Sequence, residues 1–215
     1  MKKSFFTLIL FSVSFTLSSQ NLYVESMKNG MELLQKAQTY EELFSAANHF
    51  ERIAQVEKEK WHPAYHASFA YTIAAARVSD PKMIEEILDS AQKSLDQAAT
   101  LDDKNSEILT LQGFIYMLRI GVDPVTRGQQ YSGMSSASLQ KAKAMDANNP
   151  RAAYLLAQLS FGTAQFFGSS SEEACRLNER ALALFASEQT TKSNPSFDPL
   201  WGKDMAESFK MKCAN

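Results

Sequence analysis

The chain holds 215 residues, 45% apolar and 21% charged, the balance of a globular domain with a sizeable core. A formal net charge of −2 gives no electrostatic case for nucleic acid or an anionic membrane. Only 8 Gly and 6 Pro are too few for an all-β chain of tight turns, and the prevalence of Ala, Leu, Glu, Gln, Lys and Met favours helix.

Residues 1–19 read as a secretory signal peptide. Lys2 and Lys3 give a basic start, Phe5 to Leu17 an apolar run mixed with Ser and Thr, and Ser18 and Ser19 small residues before Gln20. The run is too short for a spanning helix. The expectation is cleavage after Ser19 and an exported chain of bacterial type, periplasmic or secreted, with no membrane span after cleavage. No cysteine stands near the cut to take a lipid.

Residues 20–39 form a first, capping helix with Tyr23, Met27, Leu33, Leu34 and Ala37 on one face and Gly30 as a point for a kink. Thr39 followed by Glu42 is a capping-box pattern. It opens a second helix carrying Leu43, Ala46, Ala47, Phe50, Ile53 and Ala54. Trp61-His62-Pro63 begins a third, with Tyr65, Phe69, Ile73 and Ala76. Asp80-Pro81 stops it and caps a fourth, with Ile84, Ile87, Leu88, Ala91, Leu95 and Ala98.

A polar turn at 102–105 leads to a fifth helix, 106–120, whose Gly113 costs about 1 kcal/mol against alanine and therefore implies close approach of a neighbouring helix. Residues 121–133, GVDPVTRGQQYSG, read as the one long irregular segment. A sixth helix follows over 134–146, with Leu139, Ala142 and Met145. A seventh over 151–165 has Tyr154, Leu155, Ala157, Leu159, Phe161 and Ala164. The eighth carries Ala174, Leu177, Ala181, Leu184 and Phe185. After a polar stretch, residues 189–215 close the chain with a short helix marked by Trp201, Met205 and Phe209.

The second helix of each pair carries one signature. Ala46–Phe50–Ile53, Ala91–Leu95–Ala98, Ala137–Lys141–Ala144 and Ala174–Asn178–Ala181 share offsets of four and three, recurring every 37 to 46 residues or so. The first helices repeat as Tyr65–Ser68–Phe69–Thr72, Leu109–Gln112–Gly113–Tyr116 and Tyr154–Ala157–Gln158–Phe161. Residues 40–188 thus resemble the tetratricopeptide repeat, matching best at Gly113 and Tyr116. The repeats are degenerate and longer than the usual length of about 34. Phe69 and Gln158 replace the glycine, and Lys141 and Asn178 the aromatic. The resemblance implies an all-α, right-handed stack of antiparallel helix pairs, an α-solenoid with terminal capping helices.

It also implies a concave wall built by the first helix of each pair. On that wall His66, Thr110, Phe114, Met117, Leu155 and Leu159 stand off the stacking stripe, with Asp123, Arg127, Gln130 and Tyr131 as a lip. These residues suit a largely apolar groove. They also suit ordinary core, or a face covered by the chain's own terminal helices. His62 and His66 share a helical face, but no acid lies between them to complete a metal site. No catalytic grouping and no cofactor motif occur. Cys175 and Cys213 either pair across the last helices, as export permits, or pack as two thiols. The expected function is a non-catalytic scaffold for a protein or peptide partner. The alternative is a periplasmic solute-binding protein enclosing a small apolar ligand, serving a transporter.

Overall fold

A computed structural model describes residues 21–191 and 197–213. The expected signal peptide and Gln20 lie outside the described residues. Every regular element among the described residues is helical. The helices are α1 (21–36), α2 (Tyr40–Val56), α3 (Trp61–Ala75), α4 (Pro81–Leu101), α5 (Ser106–Val122), α6 (Pro124–Met145), α7 (Pro150–Phe167), α8 (Glu172–Thr191) and α9 (Lys203–Cys213).

Local chemistry sets most boundaries. Thr39 and Glu42 form the capping box at α2. Asp80, Asn105 and Asn149 accept backbone N–H groups at the starts of α4, α5 and α7, and Pro81 and Pro150 stand in the first turn. Gly168 closes α7 at φ 65°, the left-handed conformation glycine adopts freely. Helix α1 runs through Gly30. A Cβ there would come within 2.6 Å of the Phe50 ring, so this glycine admits α2 rather than a kink.

Residues 121–133 are not an irregular loop. α5 continues to Val122 and α6 begins at Pro124, with Asp123 the single residue between them. The Asp123 carboxylate accepts the Thr126 N–H at 3.1 Å and Pro124 pre-sets the first helical φ, so the turn is made by a cap and a proline. Gly128 and Gly133 lie within α6 with nothing near their Cβ positions. They weaken the helix without breaking it. The repeat register also shifts here. Ala137, Lys141 and Ala144 are not buried; the buried stripe is Ser135, Leu139 and Ala142, the same four-and-three spacing two residues earlier. Gly113 explains the choice. Its Cβ position lies 2.6 Å from Leu139 Cγ, and Ser135 Oγ donates to Gly113 O at 2.9 Å.

Helices pack in chain order: α5 with α6, α3 with α4, α2 with α3 and α7 with α8 meet most extensively, and α4 with α5, α6 with α7 and α8 with α9 less so. α3 also touches α5, and α5 touches α7. One core fills α2 to α5, around Leu43, Tyr65, Leu88, Leu95, Leu111 and Ile115. A second joins Leu139 to α7, α8 and α9. A third ties α1 to α2 through Tyr23, Met27 and Phe50. Phe114 and Trp201 pack against both larger cores.

Candidate functional site

Three first helices, α3, α5 and α7, present one face to residues 197–202, an extended strap between α8 and α9. His66 Nε2 donates to Phe197 O at 2.7 Å, and His62 Nε2 to Asp198 Oδ1 at 3.3 Å. The Trp201 ring stacks on Phe69 of α3 (4.9 Å, 16° between planes) and on Phe114 of α5 (5.8 Å, 28°). Its Nε1–H donates to the Tyr65 hydroxyl at 2.9 Å. Arg151 of α7 reaches Trp201 O at 3.5 Å. Gly202 follows at φ 105°, where a Cβ would meet the Phe185 ring at 2.9 Å. This glycine turns the strap into α9.

α9 then seals the far end. Phe209 packs edge-on against Phe161 and Tyr154 of α7. Asn178 Nδ2 donates to Ala206 O at 2.9 Å, so this buried polar residue holds the closing helix. Cys175 and Cys213 form a disulfide between α8 and α9.

The strap covers only the N-terminal halves of the three helices. Successive face residues, three or four apart, go from covered to open. On α3, His66 is 1% exposed and Phe69 buried, while Ile73 is half-buried. On α5, Thr110 is buried, Phe114, Met117 and Leu118 are half-buried, and Gly121 is exposed. On α7, Leu155 is buried, Leu159 half-buried, Gly162 exposed, and Phe166 and Phe167 are 64% and 74% exposed. Gly121 lies two turns beyond Phe114, and Gly162 three turns beyond Arg151, each on nearly the same side of its helix. Nothing lies within 4 Å of a Cβ at either glycine, and neither has a positive φ. What remains open is a shelf of aromatic and aliphatic side chains with two unfilled positions, bounded below by Trp201.

Of the residues named from sequence, Phe114, Met117 and Leu159 border this shelf. His66 and Leu155 lie beneath the strap side, and Thr110 is buried, its hydroxyl donating to Ser106 O at 2.7 Å. The four lip residues sit at the α5–α6 turn. Asp123 is the α6 cap. Arg127 bonds Glu85 at 2.5 Å and the Tyr131 hydroxyl at 2.9 Å, with its guanidinium over the Tyr131 ring. Gln130 is exposed. Arg119 also pairs with Glu85 and Asp89, so this corner ties α4, α5 and α6 together. Sequence reading missed Phe69, Arg151 and the strap. Trp201 and Gly202 beside Pro199 were their only local signal, because the contacts with the strap span 50 to 136 residues.

Arg151 is 1% exposed. It donates to Glu107 at 2.7 Å from both Nε and Nη2, and to Glu188. Burial opposes its charge, but the two carboxylates outweigh burial and hold its pKa above the ordinary value. Beside it lies a polar cleft of about 470 Å3, lined by Glu107, Asp146, Glu188 and Asp198 among others. Glu107 of α5 and Glu188 of α8 are engaged by Arg151 of α7, and the acidic lining is unsuited to an apolar ligand. Among the described residues no group of three or more His, Cys, Asp or Glu is placed to hold a metal ion, and no helix is long and apolar enough to cross a membrane.

The fold and this face define an all-helical array of paired helices with a partly covered apolar face. No family model matches the chain, and no curated protein matches it. Among solved structures, the chain is similar to the HusA haemophore from Porphyromonas gingivalis, with a TM-score of 0.77 and 29% identity over 89% of this chain and 92% of that one.

Proposed function

We propose that this protein is an exported, non-catalytic carrier of a planar apolar ligand of the haem class, held on the open shelf of α3, α5 and α7. The observation that carries this is the shelf itself: Phe114, Met117, Leu159, Ile73 and Phe166 stand on the helix faces that also carry Gly121 and Gly162, whose Cβ positions are empty, and Trp201 bounds them. The similarity to a haemophore supports the choice of ligand. Flat aromatic rings gain area burial and stacking on such a surface. The contacts between α3 and α5 and between α5 and α7 support reading the helix pairs as a right-handed tetratricopeptide-like stack with these helices inside. The strap already occupies much of the face where a peptide would run, which favours a small ligand over a protein or peptide partner.

The porphyrin ring is the part this face suits. His49, His62 and His66 all bond within the protein, to Ser26 O, Asp198 and Phe197 O. The sulfur of Met117 is the soft donor on the shelf.

Titration of the purified protein with haemin, followed by Soret absorbance, tests the reading. A parallel titration with iron-free protoporphyrin reports whether the ring alone suffices. Gly162→Leu and Gly121→Leu fill the open positions. Each is expected to weaken binding at least about tenfold, or about 1.4 kcal/mol. Leucine is also a better helix former than glycine by somewhat under about 1 kcal/mol, so the melting temperature should hold or rise. Gly128→Leu and Gly133→Leu, equally uncrowded but on α6, should bind as the parent does. Unchanged haemin affinity in Gly162→Leu and Gly121→Leu places the ligand elsewhere, and no binding by the parent ends the haem reading.

A further inference from the structure

We propose that residues 197–202 are a latch opened by acid: His66 holds the strap on α3 only while its imidazole is neutral, and its protonation frees Trp201 from Tyr65, Phe69 and Phe114. The latch stands on its own geometry; its effect on a bound ligand rests on the haem reading above.

The argument starts from the hydrogen bond. Phe197 O can only accept, so His66 Nε2 carries the proton and Nδ1 is bare in the neutral ring. Nδ1 is fully buried and has no hydrogen-bond partner among the described residues. A proton added there creates a donor and a charge with no acceptor, at a site that water reaches only if the strap lifts. Burial pushes the His66 pKa down to about 4, with the Phe197 carbonyl opposing the shift.

The surroundings offer little compensation. Phe50 of α2 stacks on the ring at 5.2 Å, and Tyr65 stands against its edge. His49 of α2 is turned to Ser26 O. Tyr23 of α1 packs on Phe197, beneath Lys60 and influenced by Glu57. Among the described residues Asp198 is the carboxylate acting on His66, and neighbouring His62 opposes the charge. His62 itself stacks on Trp61 and points at Asp198, with Asp102 and Lys60 acting on it from outside. Protonated His62 gains an ion pair with Asp198. Burial nevertheless lowers the His62 pKa, against that gain; protonated His66 gains no ion pair among the described residues, so His66 carries the larger part of the response.

The strap must open for His66 to take up a proton at its ordinary pKa of about 6.5, so the opening constant rises about tenfold for each pH unit between roughly 6 and 4.5. Solvent exchange of the Trp201 indole N–H, followed by NMR on the oxidised protein and assigned with Trp61→Phe, measures this directly. After correction for intrinsic exchange, the parent and His62→Gln should show that slope, and His66→Gln a much shallower one. If His66→Gln fails to fold, His66→Phe, which stacks on Phe50 and cannot titrate, serves instead. A flat parent, or an equal slope in both His66 variants, overturns the latch. Haemin dissociation should accelerate over the same range in the parent and much less in His66→Gln. A parent that binds no haemin refutes the ligand reading and leaves the indole measurement to decide the latch.

Discussion

Gly113 and Gly162 sit in equivalent first helices and do opposite things. Gly113 is a contact, its Cβ position already taken by Leu139, whereas Gly162 is open space. Gly113→Leu should therefore overpack the α5–α6 crossing and cost about 1–3 kcal/mol, measured as a lowered urea midpoint. An unchanged midpoint would mean that the helices cross elsewhere. Gly113 was legible because the spacing around it is a packing pattern. Gly162 was not, since a sequence shows a residue but not the emptiness above it. Arg151 is a third case. Its Glu107 and Glu188 partners lie 44 and 37 residues away, and from sequence it is simply a charge near a helix start.

Among the elements, the helices were legible and the strap was not. Apolar periodicity, Thr39 with Glu42, and Asp80-Pro81 located helix starts. The segment after Ile120 misled because its glycines and proline read as loop punctuation, while Asp123 and Pro124 in fact restart a helix at once. The strap has no periodicity. Its structure comes from the face it lies on, so only tertiary contact reveals it. α9 is short and depends on Phe209, Asn178 and the Cys175–Cys213 bond. That bond closes a separation of 38 residues, worth about 4 kcal/mol by loop-closure entropy. A Cys175→Ser, Cys213→Ser variant should lose stability of that order in urea unfolding without reductant. A loss near zero would show that packing alone seats α9.

For the whole molecule, buried titratable groups bracket the stable pH range. His66 falls from 6.5 to about 4 on folding, so the unfolded chain binds its proton first. Stability is full above about pH 6.5 and falls as pH drops towards 4, by about 3 kcal/mol from this group. At the alkaline end, burial raises Tyr23 and Tyr71 to about 12, with help from Glu57 and Glu51. Their contribution is full below about pH 10 and is lost as pH rises towards 12. Urea midpoints across pH should show a plateau between these limits. Its acid edge should flatten in His66→Gln; an unaltered edge would assign acid lability to the carboxylates instead.

The disulfide has a topological consequence for the strap. Residues 175–213 form a covalent ring, and residues 197–202 are an arc of it. An arc cannot drift away as a free tail can, so each excursion from the face is a short-range one and reseating is fast. Cutting the ring by reduction converts that arc into a tethered end, whose return costs chain entropy each time. Redox state thus sets how quickly the face is covered again, independently of what the face holds.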